Sequence, residues 1–74
     1  MGAASPVIGT VETFDQQIGL GTVRTADGGE FAFHCTAITD GTRTIEVGTP
    51  VGFLVGATHH GDHEARSVTP LTGI

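Results

Sequence analysis

A chain of 74 residues suffices for one small domain, and folding at this size buries only about 60% of the unfolded surface, so a thin core is expected. Eight carboxylates against three arginines and no lysine give a formal charge of −5, which opposes the approach of a polyanion instead of steering it. The single cysteine, Cys35, excludes an intramolecular disulfide, no apolar run approaches the ~18 residues of a membrane span, and residues 1–6 lack the marks of a signal peptide. A cytoplasmic protein without membrane association is the expectation.

Residues 1–6 read as a flexible N-terminal tail, residues 7–71 as the domain and residues 72–74 as a C-terminal tail. Val7 to Phe14 is rich in β-branched residues and alternates imperfectly, which predicts a first strand. After the turn Asp15-Gln16-Gln17, a second strand from Gly19 to Thr25 sets Leu20, Thr22 and Arg24 on one face and Gly21, Val23 and Thr25 on the other. Asp27-Gly28-Gly29 turns the chain into a third strand, Glu30 to Cys35, with Phe31, Phe33 and Cys35 inward and Ala32 and His34 outward. A slip of one residue would reverse these faces and bury an imidazole without a partner, so the register with the aromatics inward is preferred. Thr36-Ala37-Ile38 suits a single helical turn, and Thr39 to Glu46 is a polar connection without helical periodicity. Pro50 opens a fourth strand, Val51 to Val55, carrying Val51, Phe53 and Val55 on one side, and His63 to Leu71 forms the last. Five short strands punctuated by glycines predict an all-β fold closed, or half-closed, into a barrel, since closure removes exposed edges.

Three constellations invite chemistry. His59-His60-Gly61-Asp62-His63-Glu64 gathers metal-ligand side chains in one loop, yet a loop without a second ligand cluster rarely preforms a site, so no metal and no cofactor is expected. His34 and Cys35 are adjacent on a strand and point to opposite faces, which argues against a nucleophile–base pair; no catalytic residue is assigned. Arg24, Arg43 and Arg66 are spread over three segments, each suited to a local pair more than to a basic patch, with Arg43 the best phosphate contact.

In this order the segments resemble the cold-shock domain, a five-stranded oligonucleotide-binding (OB-fold) barrel. The carriers are Gly9-Thr10-Val11 with Phe14-Asp15, Gly19-Leu20-Gly21-Thr22-Val23, Asp27-Gly28-Gly29, Phe33-His34-Cys35-Thr36-Ala37-Ile38, Gly48 with Val51-Gly52-Phe53, and Ala65-Arg66-Ser67-Val68. The resemblance implies binding of single-stranded RNA or DNA by bases stacked on exposed aromatics, with lysines on the phosphates. Carried over position by position, the stacking rings fall on Thr13, Leu20, Thr22, Ala32 and Cys35, and the flanking lysines on Glu12 and Ile18. His34 and Phe14 keep the family's chemistry. The implied nucleic-acid contacts therefore centre on Phe14, Leu20, Thr22, Ala32, His34 and Arg43.

A stacked base is worth roughly 1–3 kcal/mol, so four or five missing platforms remove at least ~4 kcal/mol, about three decades of affinity. Weak or altered nucleic-acid binding is one expectation. The other is a barrel repurposed to bind a protein partner or small ligand through a mildly apolar face.

Overall fold

A computed structural model describes residues 6–57 and 63–71. Its five strands are β1 (Val7–Asp15), β2 (Leu20–Thr25), β3 (Glu30–His34), β4 (Pro50–Ala57) and β5 (His63–Pro70), with one 3-10 turn at Cys35–Ala37. They close into a barrel in the order β1-β2-β3-β5-β4, as expected for an all-β barrel. All neighbours are antiparallel except β3 and β5, which run parallel and meet at Ala32 and Glu64.

Alternation fills the interior. Val11 on β1, Val23 on β2, Phe33 on β3, Val51 and Phe53 on β4, and Ala65 and Val68 on β5 are all buried, and Ile38 joins them from just after the 3-10 turn. Phe31 is half-buried at the barrel's end, its ring 5.6 Å from that of Phe53. Phe33 is buried while Ala32 and His34 are exposed, so the third strand takes the register with its aromatics inward.

Two strands depart from strict alternation, each by one residue. On β1, Val11 faces Val23 but Thr13 faces Thr22, so β1 carries one residue more than β2 across that step. This bulge turns Thr13 outward and brings Phe14 against the core. On β5, Gly52 faces Thr69 and Leu54 faces Arg66, and the extra residue sits beside Ser67, whose φ of 52° is left-handed. The bulge lets Ala65 and Val68, three apart, both point inward.

Three local expectations are corrected. Cys35 opens the 3-10 turn instead of ending β3, held there by its amide donating to the Gly19 carbonyl at 2.8 Å. The turn itself begins one residue earlier than Thr36. Val55 does not share the burial of Val51 and Phe53; it is 37% exposed in the second half of β4.

The β2–β3 turn is fastened by side chains. Thr25, the one buried polar residue among those described, hydrogen-bonds Asp27 through its hydroxyl and accepts the Gly29 amide at 3.1 Å, and Asp27 Oδ1 accepts the same amide at 3.1 Å. These bonds replace the ladder where the chain reverses.

Candidate nucleic-acid interface

Outward-facing residues of β1, β2 and β3 stand in cross-strand rows. Asp15, Leu20 and His34 form one, and Thr13, Thr22 and Ala32 the next. A third runs through Thr10, Arg24 and Glu30. Four of the six residues singled out in the sequence, Leu20, Thr22, Ala32 and His34, thus lie on one continuous surface.

The centre of this surface is a shallow hollow of about 430 Å³ lined by Thr13, Phe14, Asp15, Ile18, Leu20, Gly21, Thr22 and Ala32. Its floor needs glycine at position 21. A Cβ there would stand 2.6 Å from the Thr13 carbonyl oxygen and 2.7 Å from the tip of the Phe33 ring, closer than any real contact. The Thr13 and Thr22 hydroxyls share a hydrogen bond at 2.8 Å and so partly satisfy each other inside the hollow. Ile18 reaches it from the β1–β2 turn, where Asp15 Oδ1 accepts the amides of Gln17 (2.9 Å) and Ile18 (3.3 Å). Exposure of Ile18 is 65% and of Leu20 40%, so the hollow presents aliphatic surface to solvent.

Phe14 borders the same hollow but is half-buried and stacks on Phe33 beneath it. Arg43 is exposed in the connection before β4, at φ 60°, and does not line the hollow. His34 lines a separate cleft with Thr36, Ala37, Glu64, Ala65, Arg66 and Ser67. Thr13, Asp15 and Ile18 complete the surface; the resemblance sets a stacking ring at Thr13 and a lysine at Ile18, and none of the three is among the six contacts read from the sequence. Strict alternation from Val11 would turn Thr13 inward, and the bulge turns it out, to the side where the resemblance sets a stacking ring.

Charge on this surface is locally neutralised or negative. Arg24 Nη2 lies 2.7 Å from Glu12 Oε2 and 2.6 Å from Glu30 Oε2. The hydrogen bond that Arg24 donates to Glu30, followed by the charge of Glu12, raises the guanidinium above its ordinary value, and the same bond holds the Glu30 carboxyl below its own. Arg66 is likewise occupied, with Nε 2.9 Å from Glu64 and Nη2 donating to the Ala57 carbonyl at 2.8 Å. Gly56 makes room for that guanidinium, since a side chain at 56 would collide with it. Of the three arginines, only Arg43 forms no ion pair among the described residues.

No group of three or more His, Cys, Asp or Glu able to hold a metal occurs among the described residues. The histidine-rich loop falls largely on residues 58–62, outside them. No described helix is long and apolar enough to cross a membrane.

A five-stranded barrel whose β2–β3 face and β1–β2 turn form one exposed surface is the architecture of the oligonucleotide-binding folds. Within that class the chain matches the family described as the 'Cold-shock' DNA-binding domain over residues 7–71. It belongs to the cold-shock domain family, whose members are in general nucleic-acid-binding and not typically enzymatic. No curated protein matches it.

Proposed function

We propose that this chain is a single-stranded nucleic-acid-binding module whose platform lacks its stacking rings, so that it binds weakly and with altered chemistry. The observation that carries the reading is the cross-strand register. Leu20 faces His34 and Thr22 faces Ala32, which leaves one imidazole and no benzyl ring on the outward side of β2 and β3. The guanidinium in the adjoining cross-strand row, Arg24, is already engaged by Glu12 and Glu30. Contacts centre on Leu20, Thr22, Ala32 and His34, with the edge of Phe14 beside them and Arg43 as a separate phosphate contact. The chain acts in the cytoplasm, without catalysis and without a cofactor.

Anisotropy titration of labelled random single-stranded DNA and RNA at two salt concentrations tests this. Dissociation constants above roughly 100 μM at physiological salt are expected, with a shallow dependence of log affinity on log salt. Low-micromolar binding with a steep negative slope would overturn it.

A second reading is supported by the hollow itself. Its exposed Ile18 and Leu20 offer aliphatic surface suited to a protein partner. Complete absence of nucleic-acid binding at low salt favours this reading over the first.

A further inference from the structure

The second reading acquires a specific occupant when the charges around the hollow are counted. We propose that the outward hollow of β1–β3 docks a basic peptide segment of a protein partner, one carrying leucine-sized anchors between lysines or arginines. The proposal rests on the protein-interaction reading and names its partner's chemistry.

Two independent properties of the surface converge on this occupant. The hollow's volume, about 430 Å³, lies within the ordinary range of binding pockets, and its exposed lining at Ile18 and Leu20 is aliphatic. The polar atoms within it, the Thr13 and Thr22 hydroxyls, are bonded to each other, so an apolar side chain can enter without stripping a partner from both.

The rim that the register defines carries a net negative charge. Asp15 stands beside Leu20, Glu12 and Glu30 share the single guanidinium of Arg24, and Glu64 lies across from Ala32 on β5. Arg66 offsets Glu64. Four carboxylates against two guanidiniums leave the rim negative, and the chain as a whole carries −5. Such a field attracts a cationic segment, speeds its encounter and repels acidic ones.

The test uses the full chain and a labelled heptapeptide of alternating lysine and leucine, with glutamate-for-lysine and serine-for-leucine versions as comparisons. Only the lysine–leucine peptide is expected to bind measurably by anisotropy. Its affinity should fall at least about 5-fold on Ile18→Ser with Leu20→Ser, and fall again with added salt. Leu71→Ser, at an exposed residue outside this hollow, is expected to change nothing. An unchanged affinity in the double variant overturns the proposal, as does equal binding of the lysine–serine peptide. Preferential binding of the glutamate–leucine peptide overturns the charge argument while leaving the protein-interaction reading in place. Silence from all three peptides removes both. A random single-stranded oligonucleotide that binds tighter than the peptide, with the same sensitivity to the double variant, assigns the hollow to nucleic acid instead.

Discussion

The ring of Phe14 stacks on that of Phe33, their centroids 5.9 Å apart and their planes 12° from parallel. The aromatic that could have served the outward surface is thereby engaged with the core. Buried Phe33 holds one face of the ring, and the bulge on β1 sets the direction from which Phe14 approaches.

Replacing Phe14 by alanine is therefore expected to lower stability. Loss of a half-buried ring and its stacking partner costs about 1–3 kcal/mol, less than the ~3–5 kcal/mol expected for Phe33→Ala. Urea denaturation of both variants gives the comparison. An unchanged midpoint for Phe14→Ala contradicts a structural role for the ring.

Restoring rings to the outward surface should restore stacking. Thr22→Phe together with Ala32→Phe places two aromatics on directly opposed, outward-facing positions of β2 and β3. At roughly 1–3 kcal/mol per stacked base, affinity for a random single strand is expected to rise at least ~10-fold. The same anisotropy titration reads it, and no gain would show that the missing rings are not what limits binding.

Freeing Arg24 is a separate electrostatic experiment. Glu12→Gln with Glu30→Gln takes the formal charge from −5 to −3 and leaves the guanidinium available to a phosphate. The slope of log affinity against log salt should steepen by about one unit, in line with one added phosphate contact. An unaltered slope would mean that Arg24 lies beyond the path of the strand.

Acid should weaken the fold through three carboxylates. Asp27 is held below its ordinary value by the Thr25 hydroxyl and then the Gly29 amide, Asp40 by the Thr42 amide and then its hydroxyl, and Glu30 chiefly by Arg24. A carboxyl whose folded value is depressed contributes stability above its unfolded value and loses it as pH falls through the folded one. The urea midpoint should thus stay level down to the ordinary carboxylate range, about 3.9–4.3, and decline below it. Asp27→Asn should flatten part of that decline. A midpoint that falls just as steeply in the variant would exclude Asp27 from the effect.

Much of the fold was legible because burial on strands leaves a period-two trace. Val23, Phe33, Val51 and Phe53 announce their own burial, and glycine pairs such as Gly28-Gly29 mark the reversal between strands. The surface row of Leu20, Thr22, Ala32 and His34 follows from the same arithmetic. Less legible were positions displaced by one residue, because a bulge adds a residue without changing composition. The bulge on β1 sets Thr13 outward and Phe14 against the core, and Val55 is exposed although the same period groups it with Val51 and Phe53.

By itself the sequence determined the five strands along the chain, the inward aromatics of β3, the scarcity of cationic side chains and the absence of stacking rings from the outward face, all properties of residue type and period. Only the tertiary structure decided that Phe14 joins Phe33, that Arg24 is claimed by Glu12 and Glu30, and that Ile18 from a turn meets Leu20 and Ala32 in one hollow. Those outcomes depend on register and on bulges, which set side chains from different strands within a few ångströms of one another and are invisible to any reading along a single strand.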